Sequence, residues 1–239
     1  MKKWLQRTQL LITQENIDKL QNTNVLLVGL GGVGSYAAEF LVRSGIGTIT
    51  IVDGDIVDET NINRQLPATY KTIGKAKVEI MKDRLLSINP ELNLTAINEF
   101  FSPQRMCELV NPEFDFVLDC IDSISPKLQL IKACVKQKIT IISAMGAGGK
   151  TDVNKVLIRD ISKTKECFLA RKIRKDLRKD GINKGVRCVF STEIQNEKSL
   201  MLTDGTHFKK SYYGTVSYMP ALFGLYAASE VIKKVIKSK

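Results

Sequence analysis

The run NVLLVGLGGVGSY, residues 24–36, carries the strongest structural signal in this chain of 239 residues. An apolar run of strand length ends in a turn with the pattern G-x-G-x-x-G, and a helical pattern of apolar side chains follows over residues 33–44. The glycines of the turn are Gly29, Gly31, Gly32 and Gly34. Glycines let the backbone approach a ligand closely, and the N–H groups at the start of the helix attract negative charge. The run therefore predicts a buried strand, a phosphate-binding turn and a helix.

Strand and helix patterns keep alternating after this run. Further strands are predicted at residues 48–53, 92–98, 114–120 and 138–144, and further helices at residues 74–87 and 126–136. This alternation is typical of a mainly parallel sheet with helices on both faces. The expected fold class is therefore α/β, with a Rossmann-like doubly wound sheet.

The chain changes character after Gly149. Strands predicted at residues 155–160 and 187–191 flank a basic helix. The length of the chain favours one large domain with a substantial core. Within it, we expect residues 1–150 to form the nucleotide-binding core and residues 151–239 to form a C-terminal part that binds the substrate.

The overall composition restricts the partners and the compartment. Lysine and arginine number 36 against 25 aspartates and glutamates, which gives a net charge of +11 and favours a polyanionic partner. The five cysteines form no C-x-x-C pair, which argues against a zinc site and indicates a reduced compartment, the cytoplasm. The most apolar stretch near the end, residues 216–228, is interrupted by Pro220 and Gly224. It is shorter than the roughly 20 residues of a membrane-spanning helix, so no membrane span is expected.

Four polar residues define a candidate site downstream of the glycine turn. Asp53 ends the second predicted strand. At about this distance along the sequence from the glycine turn, nucleotide-binding folds place an acidic residue that accepts hydrogen bonds from ribose hydroxyls. Such a residue fits an NAD-dependent and an ATP-using enzyme equally well. Asn61, Arg64 and Lys77 favour ATP. An amide, a guanidinium and an ammonium together can neutralise a departing pyrophosphate, for which a nicotinamide site has no use.

Asp122 follows the strand predicted at residues 114–120. Ligands of an open parallel sheet collect at the carboxyl ends of its strands, so we expect Asp122 to lie beside the glycine turn. A carboxylate among phosphates is a suitable Mg²⁺ ligand. The alternative is that it caps the following helix, a role that Ser123 or Ser125 could equally fill.

These residues stand in a pattern that resembles a known family. The matching motifs are Gly29-x-Gly31-Gly32-x-Gly34-Ser35, Asp53-x-Asp55, Asn61-x-x-Arg64-Gln65, Gly74-x-x-Lys77 and Asp119-Cys120-Ile121-Asp122. As a set, they resemble the adenylating domain that is shared by ubiquitin-activating enzymes and the bacterial enzymes that activate sulfur-carrier proteins. The reaction implied is attack of a carboxylate on the α-phosphate of ATP, which gives an acyl-adenylate and pyrophosphate.

The resemblance also implies a role for each residue. The implied nucleotide-binding residues are Gly29, Gly31, Gly32, Gly34, Asp53, Asp55, Asn61, Arg64 and Lys77. Among them Asp53 would hold the ribose of ATP, and Asp122 would hold Mg²⁺. Arg64 and Lys77 would bind the phosphates and, with Asp122, would carry the catalysis.

The second half of the chain points to one branch of this superfamily. Residues 160–182, 186–193 and 214–228 resemble the tRNA threonylcarbamoyladenosine dehydratases, and the similarity covers essentially the whole chain. The branch is implied to activate the threonyl carboxylate of N6-threonylcarbamoyladenosine, next to the anticodon of tRNA, so that the side chain cyclises with loss of water. Its members are commonly homodimers, in which Arg7 would reach the ATP of a neighbouring subunit. A sulfur-transfer protein is a further expected partner.

The basic helix is the candidate tRNA-binding element. Between Lys163 and Arg187 ten basic residues stand against three acidic ones. Leu169, Ile173 and Leu177 recur every four residues and are expected to anchor the helix. The side chains predicted to face solvent and to bind tRNA are Arg171, Lys172, Arg174, Lys175, Arg178 and Lys179. The alternative is a merely solvated helix face.

Residues 192–217 are polar and rich in Lys, Gly and Tyr, without periodicity. They predict a long flexible loop, and such loops are usually functional or disordered. We expect this loop to close over the reaction intermediate and exclude water. The only histidine, His207, falls in the loop and is expected at the surface.

Three rival functions remain for this sequence. Activation of a sulfur-carrier protein would use the same chemistry, but the missing C-x-x-C zinc ligands and the basic helix count against it. An NAD-dependent oxidoreductase would leave Asn61, Arg64 and Lys77 unexplained. A non-catalytic tRNA-binding module would keep the nucleotide fold without turnover.

Overall fold

The computed structural model describes residues 2–100, 102–202 and 211–237. The helices are α1 (Gln6–Gln21), α2 (Gly34–Arg43), α3 (Lys77–Ile88), α4 (Pro103–Leu109), α5 (Ile124–Gln137), α6 (Phe168–Lys179) and α7 (Tyr218–Lys237). The strands are β1 (Asn24–Val28), β2 (Thr48–Val52), β3 (Asn93–Ile97), β4 (Phe116–Asp119), β5 (Thr140–Ala144), β6 (Val156–Asp160), β7 (Arg187–Ser191), β8 (Leu200–Leu202) and β9 (Ser211–Tyr213).

Seven strands form one sheet in the order β3-β2-β1-β4-β5-β7-β6. Neighbouring strands are parallel except for β7 and β6, which pair antiparallel at one edge. Val28 at the end of β1 lies opposite Val52 of β2 and opposite Asp119 of β4. The carboxyl ends of these three strands therefore meet at one edge, where the strand order reverses and ligands of such sheets bind. The predicted Rossmann-like α/β fold is confirmed.

The two faces of the sheet are covered by separate groups of helices. Side chains of α1, α2, α3 and α7 pack on one face, and side chains of α4, α5 and α6 pack on the other. Along β1, Leu27 belongs to the first core and Leu26 to the second, and both side chains are fully buried. This explains why β1 has a continuous apolar sequence, since a strand covered on both faces cannot alternate with polar residues.

Helix α7 corrects the interpretation of the last apolar run. Pro220 and Gly224 do not interrupt this run but lie inside the helix. Pro220 occupies the first turn, where its missing N–H has no helical partner to bind. A Cβ on Gly224 would lie 2.4 Å from the carbonyl oxygen of Val33, so glycine allows α7 to lie directly against α2. Among the described residues, no helix combines the length and apolar character that a membrane crossing needs.

The segment after β7 is more ordered than its sequence predicts. Residues 196–202 contain a single 3₁₀ turn followed by β8, which pairs antiparallel with β9. The expectation of a long irregular loop is therefore wrong for these residues. Residues 203–210, including His207, lie outside the described residues.

Candidate nucleotide site and basic surface

The four glycines of the turn serve different purposes. Gly29 has a φ of 95°, and a Cβ on Gly34 would lie 1.7 Å from the carbonyl oxygen of Gly29. Both positions therefore require glycine for the fold itself. At Gly31, in contrast, the nearest atom to an added Cβ is Nε2 of Gln65, at 3.8 Å. The protein has room for a side chain at Gly31, so its absence leaves open backbone for a ligand.

Gly32 lies where the C-terminal helix packs against the nucleotide-binding half of the chain. A Cβ at this position would lie 2.9 Å from Cβ of Pro220 in α7 and 3.2 Å from the carbonyl oxygen of Arg64. The turn is thus enclosed by the C-terminal helix on one side and by the segment that carries Arg64 on the other.

The Asp53 carboxylate links the glycine turn to the end of β2. Its oxygens accept hydrogen bonds from the backbone N–H of Leu30 at 2.5 Å and of Asp55 at 2.7 Å. Burial raises the pKa of Asp53, while the Lys77 ammonium and these two hydrogen bonds oppose the rise. A carboxylate has about four acceptor positions. The two N–H donors leave it the capacity to accept ribose hydroxyls as well.

Lys77 is the first residue of α3, and its side chain is buried. Its Nζ lies 2.8 Å from a carboxylate oxygen of Asp55, and its backbone N–H donates to the carbonyl oxygen of the same residue at 3.0 Å. The structure therefore pairs two of the residues that the sequence assigns to the nucleotide site. In this arrangement the Lys77 ammonium offsets the negative charges of the Asp55 and Asp53 carboxylates.

Asn61 and Arg64 come from the turn after β2. Asn61 is buried, and its side-chain oxygen accepts the backbone N–H of Asp58 at 3.2 Å within a capping box. Its amide N–H₂ is then the group that can donate to a phosphate. Arg64 is half-buried, and its Nη1 donates at 2.7 Å to the carbonyl oxygen of Thr60 and to the side-chain oxygen of Asn63. Both hydrogen bonds use one end of the guanidinium, whose planar fork carries five N–H donors.

Arg64 and Asp122 follow different strands, and the carboxylate of Asp122 acts electrostatically on the guanidinium of Arg64. Burial lowers the pKa of Arg64, and the negative charge of the Asp122 carboxylate opposes this shift because it stabilises the guanidinium. Ser123, not Asp122, stands at the N-cap of α5, and its hydroxyl lies 3.4 Å from an Asp122 carboxylate oxygen. Residues 120–121, which lead into Asp122, pack on Gly29 of the glycine turn, and the role of Asp122 at the nucleotide stays a prediction.

Sequence reasoning missed a buried ion pair directly below this edge. The Lys127 side chain is fully buried, and its Nζ lies 2.6 Å from an Asp119 carboxylate oxygen and 2.9 Å from the carbonyl oxygen of Ala144. The hydroxyl of Ser143 donates to the same Asp119 oxygen at 2.5 Å. The strand-end aspartate was visible in the sequence, but its partner looked like an ordinary surface lysine of a helix.

Helix α6 exposes most of its predicted basic side chains. Its buried residues are Ala170, Ile173 and Leu177, while Leu169 is only half-buried. Lys172 and Lys179 each form an ion pair with Asp176. The other exposed basic side chains of α6 are Arg171, Lys175 and Arg178, and these three are called the basic surface below.

Arg174 departs from the sequence prediction. It is half-buried, and its Nη1 donates to the carbonyl oxygen of Thr164 at 2.8 Å and also binds the Thr164 hydroxyl. The expectation that Arg174 simply faces solvent is wrong, because its guanidinium holds the turn that precedes α6.

Fold and site together define a nucleotide-binding α/β protein, with a glycine turn, the Asp53 carboxylate bound to that turn and basic side chains at one edge of the sheet. The chain belongs to the ThiF family, whose model matches residues 5–239.

Known relatives narrow the assignment. The chain is 39% identical to the tRNA threonylcarbamoyladenosine dehydratase of Bacillus subtilis, over 97% of this chain and 94% of that protein. Its fold superimposes on the Escherichia coli tRNA N6-threonylcarbamoyladenosine dehydratase in complex with ATP, with a TM-score of 0.88 and 36% identity, covering 99% of this chain and 96% of the other. A complex of the same Escherichia coli enzyme with AMP matches with a TM-score of 0.87, the same identity and the same coverage. The resemblance to this branch of the family is thereby confirmed.

Proposed function

We propose that this protein uses ATP to dehydrate and cyclise N6-threonylcarbamoyladenosine next to the anticodon of tRNA. The observation that carries the proposal is the packing of the glycine turn between the segment that carries Arg64 and residues 120–121, which lead into Asp122. Relatives of near-equal length bear the name of this dehydratase, and the Escherichia coli enzyme binds ATP and AMP. The protein is thus an adenylate-forming, ligase-like enzyme of tRNA modification.

The first step follows from the charges at the site. The threonyl carboxylate attacks the α-phosphorus of ATP, a bond to the pyrophosphate group breaks, and an acyl-adenylate forms. Arg64 and Lys77 offset the negative charge that grows on the phosphates, and Asn61 adds a neutral donor. The backbone N–H groups at Gly31 and at the start of α2 are partly positive and stabilise the same charge.

The second step requires no protein nucleophile. The activated carbonyl is attacked by a neighbouring atom of the same side chain, AMP departs with one oxygen of the former carboxylate, and a ring closes. A tethered nucleophile has a high effective concentration, which replaces covalent catalysis. In agreement with this, burial raises the pKa of the Cys120 thiol, the cysteine beside the turn, to about 12.

We also propose Mg²⁺ as a cofactor at Asp122. Among residues 2–100, 102–202 and 211–237, no group of three or more His, Cys, Asp or Glu side chains could hold a metal ion. A single carboxylate beside nucleotide phosphates nonetheless fits Mg²⁺, which is usually held by one or two carboxylates, phosphate oxygens and water. When bound, the ion would supply positive charge to the phosphates of ATP.

The basic surface on α6 is our proposed contact with tRNA phosphates. Arg171, Lys175 and Arg178 are exposed on one helix, and the ring of Phe168 lies beneath the Arg171 guanidinium at 4.7 Å. Arginine and lysine clusters of this kind bind nucleic acid by releasing counterions from the phosphates.

The compartment, the oligomeric state and the further partners are also proposals. We propose a cytoplasmic homodimer, for which Leu10 and Leu11 on α1, each 84% exposed, provide an apolar surface. Arg7 is exposed on the same helix, where it could reach a neighbouring subunit. A sulfur-transfer partner, the role of residues 192–217 as a lid, and the division of the domain near residue 150 stay predictions.

One incubation tests the function against its rivals. The purified protein is mixed with ATP and tRNA that carries N6-threonylcarbamoyladenosine, and the released nucleotide and digested nucleosides are identified by mass spectrometry. We expect AMP and a nucleoside lighter by one water. AMP formed only after addition of a carrier protein would instead favour sulfur-carrier activation, and absence of turnover would favour a binding module.

A further inference from the structure

The β8–β9 hairpin is fixed beside the nucleotide site by backbone hydrogen bonds. The N–H of Gly149 donates to the carbonyl oxygen of Gly214 at 2.7 Å, and the N–H of Asn196 donates to the carbonyl oxygen of Gly149 at 2.9 Å. Within the hairpin, the N–H of Gly214 donates to the carbonyl oxygen of Ser199 at 2.8 Å. The hairpin is therefore attached to the glycine-rich turn after β5, which follows a central strand of the sheet.

The described residues of β8 and β9 are half-buried or exposed, and one face of the hairpin carries the exposed side chains of Tyr212 and Met201. A Cβ built on Gly148 would lie 3.0 Å from Cβ of Tyr213, and a Cβ built on Gly149 would lie 3.1 Å from its ring atom Cδ1, so Tyr213 packs on that turn. Successive side chains of a strand point to opposite faces. Tyr212 therefore lies on the outer face, where it stands opposite Met201 of β8. These two side chains are 48% and 56% exposed.

The outer face borders the place where the α-phosphate of ATP is expected. The side-chain amide of Asn63 donates to the carbonyl oxygen of Thr215 at 3.2 Å, which joins the end of the hairpin to the residue before Arg64. Thr215 comes three residues after Tyr212, so this hydrogen bond holds the end of β9 next to the segment that carries Arg64. Tyr212 is thereby held near Arg64, and Cys120 and Ile121, which precede Asp122, lie against Gly29 of the same site.

A second exposed aromatic residue marks the other end of the site. Phe100, which is 53% exposed, lies against Gly54, where an added Cβ would be 2.7 Å from the phenyl ring. Gly54 follows the ribose carboxylate Asp53. Phe100 is therefore placed at the nucleoside end of ATP, and Tyr212 at the phosphate end.

We propose that Tyr212 and Met201 form a stacking platform for the purine ring of the tRNA nucleoside that is modified. This inference rests on the proposed function. The reacting carboxylate is attached to the purine by a short side chain, so the ring must rest close to Arg64 when the carboxylate reaches the α-phosphate. Unpaired RNA bases are recognised by stacking on aromatic side chains, and the Met201 thioether extends the apolar surface beside the phenol ring. ATP is accordingly bound at the Phe100 end and the substrate base at the Tyr212 end.

Fluorescence of an RNA probe tests the platform directly. An anticodon stem–loop is synthesised with 2-aminopurine, whose emission falls when it stacks, in place of the target adenosine. We expect the wild-type protein to quench the emission and Tyr212→Phe to quench it equally, because the ring is kept. Tyr212→Ala should lose most of the quenching and bind the RNA about fivefold or more weakly, as expected for the loss of one base–aromatic stack. Phe100→Ala is the matched control, which should weaken ATP binding and leave the quenching unchanged.

The outcomes separate the platform from the proposed function. Equal quenching by Tyr212→Ala and the wild type, or no quenching by the wild type, would overturn the platform. A loss in Tyr212→Phe as large as in Tyr212→Ala would also overturn it, since the hydroxyl rather than the ring would then be responsible. Quenching by a wild-type protein that forms no dehydrated nucleoside would leave the platform standing and remove the proposed function.

Discussion

The Lys127 ammonium and the Asp119 carboxylate form an ion pair that is fully buried beneath the candidate site, with 2.6 Å between Nζ and the carboxylate oxygen. The other Asp119 oxygen accepts the backbone N–H of Ile121 at 3.1 Å. The pair therefore holds the turn that leads into Asp122. A lysine on α5 is thus part of the support for the active edge of the sheet.

We expect Lys127→Met to lower the free energy of unfolding by about 3–5 kcal/mol, because it leaves the Asp119 carboxylate buried without its counter-charge. Urea denaturation followed by circular dichroism measures the loss. Lys132→Met is the matched control on the same helix. Lys132 lies 2.6 Å from a carboxylate oxygen of Asp180 in a partly exposed pair, so its loss should be about 0–1 kcal/mol. Equal losses in the two variants would contradict the structural role of Lys127.

Gly31→Ala and Gly34→Ala should separate nucleotide binding from folding. The space at Gly31 accepts a methyl group, so that variant should unfold at nearly the wild-type temperature but bind ATP more weakly, because the methyl group covers open backbone. At Gly34 the methyl group would collide with the carbonyl oxygen of Gly29, so that variant should be strongly destabilised. Thermal unfolding with and without ATP measures both effects. A Gly31→Ala protein that is stable and binds ATP normally would place the phosphates elsewhere.

Arg64→Ala should slow pyrophosphate release about 100-fold or more at saturating ATP, as expected for removal of a charged donor that acts on the transition state. Arg64→Lys should recover only part of the rate, because an ammonium lacks the planar fork of a guanidinium. Arg43→Ala, which removes a partly exposed arginine paired with Glu39, is the control and should stay near the wild-type rate. Pyrophosphate release coupled to a colorimetric assay gives these rates, and a near-normal Arg64→Ala rate would refute the role.

The sequence predicted the elements whose physical cause is local. The central strand β1 is a continuous apolar run, and the glycine turn is a fixed pattern, so both are visible without tertiary information. Helices α1, α4 and α7 were not predicted. In α7 the reason is specific, because Pro220 and Gly224 normally interrupt a helix and are accepted here through the first-turn position and the close contact with Val33.

Residues whose roles depend on distant partners were harder to predict. Lys127 is indistinguishable in sequence from a solvated lysine, and only the fold places Asp119 beside it. Arg174 follows the same helical spacing as its exposed neighbours but reaches back to Thr164. Tyr212 lies in a segment without periodicity, and the hydrogen bond between Asn63 and Thr215 brings that segment next to the one that carries Arg64. Spacing alone carries no information on such contacts.

Alkylation of cysteines should not inactivate the enzyme. Burial raises the pKa of Cys120 and of Cys134 to about 12, so at pH 8 only about one thiol in ten thousand is in the reactive thiolate form. Cys107 is exposed. We expect iodoacetamide at pH 8 to label Cys107 first, as seen by peptide mass spectrometry, with turnover retained. Loss of turnover in step with labelling of Cys120 would indicate a thioester mechanism instead.

The basic surface should govern how strongly tRNA binding depends on salt. The triple variant Arg171→Ala, Lys175→Ala and Arg178→Ala removes three exposed charges from α6. If each binds a phosphate, the slope of log K against log salt concentration should flatten by about two to three, while ATP affinity stays unchanged.

The matched control removes the same charge from the opposite edge of the sheet. Lys233, Lys234 and Lys237 of α7 line a cavity with Phe116 and Thr140, the first residues of β4 and β5, so they lie away from the carboxyl ends of the strands. Their replacement by alanine should change the slope by less than about one, the contribution of a single phosphate contact, because only charges that contact phosphates release counterions. Filter-binding titrations between low and physiological salt measure both slopes. Equal flattening in the two triple variants would show that tRNA senses net charge alone, and α6 would then lose its role as the contact surface.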